Sequence, residues 1–154
     1  MALYLVQHGK ALSKEQDSEQ ELSQEGLADV RRIADVAGTY GVKPYAIRHS
    51  GKKRARQTAE ILAEVLLGER GETEPVLGLA PLDDVTVIAN TLKTSANLML
   101  VGHLPFMERL TGFLITRSVD LLVLKFQNGG IVCLDLDHDS GRWFIKWTLM
   151  PSIK

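Results

Sequence analysis

The stretch Ala2-Leu3-Tyr4-Leu5-Val6, followed at once by Gln7-His8-Gly9, decides how this chain is read. A short apolar run bounded by polar residues and glycine is the pattern of a strand covered on both faces. The same design recurs at Leu98-Met99-Leu100-Val101, which leads into Gly102-His103. In an open α/β sheet the ligand crevice lies beyond the carboxyl ends of the strands, so both imidazoles are expected to project into one pocket.

Outward from these two strands, apolar blocks alternate with helix-like blocks, which favours βαβ units on a mainly parallel sheet. After a polar loop from Lys10 to Glu21, Ser23 is placed to cap a helix with Leu27, Val30, Ala34 and Ala37 on its inner stripe, stopped by Gly41 and Pro44. A strand from about Tyr45 to Arg48 passes through His49-Ser50-Gly51 into a helix carrying Ala55, Ala59, Leu62 and Leu66, with Gly68 as its stop. Residues Gly68 to Glu74 read as a surface loop, followed by a short apolar run at Val76 to Leu79 and a modest helix containing Val85, Ile88, Ala89 and Leu92. A further helix carries Met107, Leu110 and Leu114. The runs Gly130 to Asp137 and Trp143 to Met150 are joined by the turn-rich cluster Asp137-His138-Asp139-Ser140-Gly141 and read as a hairpin. The expected fold is therefore α/β, a three-layer α/β/α sandwich on a mainly parallel central sheet, with a C-terminal hairpin that includes an antiparallel strand.

A chain of 154 residues matches one domain, taken as 1–154, and suffices to bury one substantial core. Its formal net charge of −1 gives no reason to expect a nucleic-acid or acidic-membrane partner. A single cysteine, Cys133, allows no internal disulfide and suits a reducing compartment. The first apolar run is too short for a signal peptide or a membrane span, so a cytoplasmic protein is expected.

Three strand ends converge on one rim: Gln7-His8-Gly9, His49-Ser50-Gly51 and Gly102-His103. The helix beyond the second opens with Lys52-Lys53-Arg54-Ala55-Arg56, and cations at a helix start oppose its macrodipole unless an anion binds nearby. A phosphate would satisfy both the helix and the cations; a solvated basic turn is the plain alternative. A neutral imidazole can attack phosphorus and form a phosphohistidine, with fixed cations stabilising the equatorial oxygens, so that no metal or other cofactor is required. His8 is the better nucleophile because Gly9 lets the backbone pass close to a ligand, and His103 would donate to, or bear charge against, the transferring group. His49 reads as a capping or structural residue, His138 as a solvated turn tip, and no pair of histidines has a short metal-ligand spacing.

These residues resemble the histidine phosphatase superfamily, which includes phosphoglycerate mutases and acid phosphatases. Gln7-His8-Gly9 occupies the place of the family's Arg-His-Gly, whose histidine is the nucleophile. Ser50-Gly51-Lys52-Lys53-Arg54-Ala55-Arg56-Gln57-Thr58 matches Ser-x-x-x-Arg-Ala-x-Gln-Thr, with the phosphate-binding arginine at Arg54. Gly102-His103 with Pro105 matches the later Gly-His, and Leu22-Ser23-Gln24-Glu25-Gly26 looks like the block that opens the first helix. The small size and the segment Leu3 to Ala11 are most similar to phosphohistidine phosphatases of the SixA type.

The resemblance implies His8, Arg54 and His103 as catalytic residues, and Gln7, Gly9, Ser50, Arg54 and His103 as phosphate ligands. Asp83 stands near where relatives place a general acid, although Asp83 and Asp84 also suit a helix start. Gln7 can hydrogen-bond a phosphate oxygen but brings no charge, and Lys10, Lys52 or Arg48 are the cations available to compensate. Arg48 could equally point away, as an ordinary strand residue. A phosphorylated imidazole can be protonated on its leaving nitrogen, so it needs less acid help than an alkyl ester. The chain also lacks a long helical insertion to serve as a lid. A phosphohistidine-bearing protein is thus the expected substrate. The alternatives are a phosphate- or phosphoprotein-binding module and a phosphatase of small esters.

Overall fold

The computed structural model describes residues 2–92 and 97–154. Six strands form one sheet in the order β3-β2-β4-β1-β5-β6. They are β1 (Ala2–Gln7), β2 (Ala46–His49), β3 (Thr73–Pro75), β4 (Leu98–Gly102), β5 (Ile131–Leu136) and β6 (Trp143–Leu149), with helices α1 (Gln24–Thr39), α2 (Lys53–Leu66), α3 (Val85–Ala89) and α4 (Phe106–Thr116). Strands β1, β2, β3 and β4 pair in parallel, while β5 runs antiparallel to β1, and β6 to β5. The sandwich and its C-terminal hairpin are as the sequence led us to expect.

The alternation of side chains along β1 assigns the two faces. Tyr4 and Val6 join the core under α1 and α2 with Val30, Ile33, Ala34, Ala59 and Leu62. Leu3 and Leu5 join the core under α3 and α4 with Val85, Phe106, Met107 and Leu110. Leu27, expected on the inner stripe of α1, is only half-buried, and Ile33 is buried there instead with Val30, Ala34 and Ala37. No helix among the described residues is long and apolar enough to cross a membrane.

One expectation fails. The segment read as a surface loop up to Glu74 contains strand β3, whereas Val76 to Leu79 forms a turn around Gly78. β3 is an edge strand that pairs only with β2, so it needs no apolar alternation, and an edge tolerates Pro75.

Candidate active site

Neighbouring parallel strands bring the two histidines together. Gln7 lies opposite Gly102 in the β1/β4 register, and the His8 amide donates to the Gly102 carbonyl at 2.9 Å, one residue past the strand. The His8 and His103 ring centroids are 5.0 Å apart, inclined at 54°. From the connection between β2 and α2, Ser50 Oγ lies 2.6 Å from His103 Nε2. Arg54, in the first turn of α2, directs its Nε–H at His8 Nε2 across 3.4 Å. All three strand ends meet at one rim, with Gln7, Gly9 and Ser50 beside His8, Arg54 and His103.

The hydrogen bonds set the state of His8. Its Nδ1 lies 2.6 Å from the Gly9 carbonyl oxygen, which can only accept, so Nδ1 carries the proton and Nε2 presents a lone pair toward Arg54. Burial pushes the His8 pKa down to about 4, against the Gly9 bond, which raises it, and with Arg54, which lowers it further. His103, 1% exposed, is lowered to about 3, first by burial and then by the charges of His8, Arg54 and Lys52. Both rings are neutral near pH 7. The site also holds two buried polar atoms without a hydrogen-bond partner, Gln7 Oε1 and His103 Nδ1.

Backbone ties hold the His8 loop. The Gly9 amide donates to Thr58 Oγ1 at 2.9 Å, and that hydroxyl donates to the Arg54 carbonyl at 2.8 Å, joining the His8 loop to the turn that carries Arg54. On the other side Asn128 Nδ2 donates to the His8 carbonyl at 3.2 Å, and the Gly129 amide reaches the Gln7 and His8 carbonyls at 2.9 and 3.1 Å. Thr58, Asn128 and Gly129 were not singled out from sequence. Thr58 stood inside the matched block, and Asn128-Gly129-Gly130 is a turn signal just ahead of β5. Gly9 has a packing reason beyond ligand approach, since a Cβ there would lie 2.6 Å from Val30 Cγ2 of α1.

The surrounding cations divide sharply. Arg48 pairs across the strands with Glu74 at 3.1 Å, Lys10 with Glu25 at 2.7 Å, and Lys53 with Glu19 and Glu21 at 3.1 and 3.5 Å. Arg48 thus takes the outward-facing alternative. Among the described residues Lys52 makes no ion pair. Asp83 Oδ2 accepts from the Ala80 amide, and Asp84 Oδ1 from the Thr86 amide as the cap of α3. His49 Nδ1 accepts from the Gly51 amide, and His138 is exposed in the hairpin turn. Among the described residues no three His, Cys, Asp or Glu side chains cluster as a metal site.

The carboxyl ends of two central strands and the start of α2 thus bring two imidazoles and a guanidinium together, an arrangement suited to holding a phosphoryl group. A model of the histidine phosphatase superfamily (branch 1) matches residues 3–77, the portion that carries His8, Ser50 and Arg54. An uncharacterised protein of Picosynechococcus sp. is 33% identical, covering 68% of this chain and 67% of its own length. The structure of the protein histidine phosphatase SixA complexed with tungstate superposes with a TM-score of 0.84 at 25% identity, over 98% of this chain and 97% of that one. A protein of Agrobacterium tumefaciens assigned as the phosphohistidine phosphatase SixA gives 0.77 at 26% identity, over 97% of each chain. The α-ribazole phosphatase of Shigella flexneri shares the fold, with a TM-score of 0.75 at 12% identity over 100% of this chain and 98% of that one. The chain belongs to the histidine phosphatase superfamily.

Proposed function

We propose that this protein is a phosphatase that removes phosphoryl groups from phosphohistidine in proteins through a covalent intermediate on His8. The observation that carries the reading is the state of His8: neutral, with Nδ1–H tied to the Gly9 carbonyl and the Nε2 lone pair facing the Arg54 Nε–H, with the His103 ring alongside. In the first step the substrate's phosphorylated imidazole, protonated from solvent, is attacked at phosphorus by Nε2, the bond from phosphorus to its nitrogen breaks, and the imidazole leaves neutral, keeping that proton. In the second, water attacks the phosphoryl group on His8, the bond from phosphorus to Nε2 breaks, and inorganic phosphate departs. Arg54 neutralises the equatorial oxygens, while His103, set by Ser50, donates to one of them.

The choice of a phosphoramidate over an alkyl ester rests on acid chemistry. The one carboxyl offered as a general acid, Asp83, already accepts from the Ala80 amide in its own turn. A substrate whose leaving nitrogen takes a proton readily suits such a site. Likeness to two SixA proteins across nearly the whole chain agrees with this choice.

The test is mass spectrometry of the protein rapidly quenched with a phosphohistidine peptide. One phosphoryl group on His8 is expected, and His8→Ala should lose both the adduct and phosphate release while its melting temperature moves little, because a rim residue adds little to the core. Undiminished turnover by His8→Ala would remove the nucleophile from this account. A second reading, a phosphate- or phosphoprotein-binding module without turnover, is favoured by the uncharged carboxamide of Gln7 next to His8 in the chain. Oxyanion binding without any phosphorylated His8 would select it. Parallel assays with small phosphate esters separate the phosphohistidine activity from a small-ester phosphatase.

A further inference from the structure

We propose that Lys52 is the charge partner of the phosphoryl group in this pocket and supplies the positive charge that Gln7 at the end of β1 does not. The inference rests on reading the pocket as an oxyanion site, and it assigns a role to a side chain outside the matched motif positions.

Five observations converge on Lys52. Gln7, at the end of β1, is nine-tenths buried and neutral, so that strand end brings no cation to the phosphate. Of the other cations around the rim, Lys10, Arg48 and Lys53 are each held by a carboxylate, and Arg54 is already counted among the groups facing His8. Lys52 pairs with no carboxylate among the described residues. Its backbone amide donates to Ser50 Oγ at 3.4 Å, and that oxygen is 2.6 Å from His103 Nε2, so the Lys52 backbone stands one hydroxyl away from the His103 ring. Its charge is also one of those that depress the His103 pKa.

The local structure agrees. Lys52 is the N-cap of α2, where it makes no side-chain capping bond, and no acid stands in the first turn. Lysine is a poor residue at that position for the helix alone, because its charge opposes the macrodipole and its side chain cannot accept from the orphan amides. A bound phosphoryl dianion reverses the sign of that electrostatic cost. The ammonium is a compact charge on a flexible stem, without the fork of a guanidinium. Its contribution therefore falls on oxyanion affinity in ground and transition states alike, and so on Kd and KM more than on kcat.

The experiment is calorimetric titration with tungstate, and separately with orthophosphate, of the full chain and of Lys52→Met, Arg48→Met, Gln7→Arg and the Gln7→Arg/Lys52→Met pair. Lys52→Met is expected to weaken tungstate binding about 5-fold or more, the scale of a good exposed ion pair. Arg48→Met, already committed to Glu74, should stay within about 2-fold of the parent. In the Gln7→Arg background the loss from Lys52→Met should shrink to under about 2-fold, since charge at position 7 then does the same task. Unchanged binding by Lys52→Met, or an equal loss in both backgrounds, overturns the proposal. A parent protein that binds tungstate but releases no phosphate from a phosphohistidine peptide defeats the phosphatase reading and leaves the Lys52 result decisive. A parent that binds neither anion defeats both.

Discussion

Two helix N-termini flank the His8 loop, and they are built in opposite ways. α1 begins with the Ser23 hydroxyl accepting from the Gly26 amide and with Glu25 in its first turn, so its dipole and its orphan amides are answered from within the sequence. α2 begins with Lys52, Lys53 and Arg54, without a side-chain cap and without an acid. The first terminus is finished as a structural element; the second is left without a side-chain cap or an acid, and on the proposed function it is the substrate's phosphoryl group that meets it. The lesson is that a locally unfavourable helix start, set beside a favourable one, marks the side of the pocket where charge is to be received.

The largest break in this comparison is expected at Gly26, on the finished side. A Cβ there would lie 2.0 Å from the Lys10 carbonyl oxygen, backbone against backbone. Alanine inside a helix normally gains up to about 1 kcal/mol over glycine. Gly26→Ala should instead cost about 3 kcal/mol by overpacking and disturb the loop that carries His8. Denaturant unfolding measures it, and a stabilised variant would contradict the close approach of α1 to that loop.

Acid tests the receiving side next. His8 and His103 stay neutral in the fold, with pKa values lowered from 6.5 to about 4 and about 3, while the unfolded chain protonates near 6.5. The unfolded state therefore binds more protons below 6.5, so the stability tied to these rings is complete above that value and is lost as pH falls toward about 4 and then about 3. Unfolding curves across that window should show a shallower loss for His8→Ala than for the parent, and bound phosphate should reduce the loss by favouring protonated rings. Equal pH slopes in parent and variant would mean that His8 is not desolvated as described.

Smaller effects sharpen the contrast. Ser23→Ala should cost about 1 kcal/mol of stability and leave oxyanion affinity unchanged, because its cap belongs to the fold. Lys52→Ser should do the reverse, gaining about 0.5 kcal/mol from a new cap while weakening tungstate binding. Paired thermal melts and titrations read both signs. A Lys52→Ser protein that lost stability would show that the lysine already serves the helix.

Much of the site could be read from the chain because each strand that builds it is a short apolar run ending in His, Ser or Gly, and strand direction alone then sends His8, Ser50 and His103 to one rim. The helix with Arg54 followed from its spacing. β3 escaped because an edge strand paired on one side carries no hydrophobic signature, and Thr73-Glu74-Pro75 looks like loop. The ties through Thr58, Asn128 and Gly129 escaped for a different reason: they are bonds to backbone amides and carbonyls, which any residue offers, so only geometry reveals them. Nor could sequence sort the cations, since Lys10, Arg48, Lys52 and Lys53 look alike until their carboxylate partners, distant along the chain, are placed.

The adjacency of β1 and β4 has a consequence for folding. His8 and His103 are 95 positions apart in the chain, yet their strands are direct neighbours, with Val6 opposite Val101 and Gln7 opposite Gly102. A partly folded chain that had formed only the N-terminal half, β1 through β3 with α1 and α2, would own His8 and Arg54 but not the His103 imidazole. Closing that long loop is slow entropic work that local contacts cannot do in advance. On the proposed function, oxyanion binding between the two rings is a property of the completed sheet, and a phosphate mimic added during refolding should report the arrival of β4 rather than the formation of the motif around His8. By the same linkage such an anion stabilises only the fully assembled state, so the pocket rewards completion of the sheet that forms it.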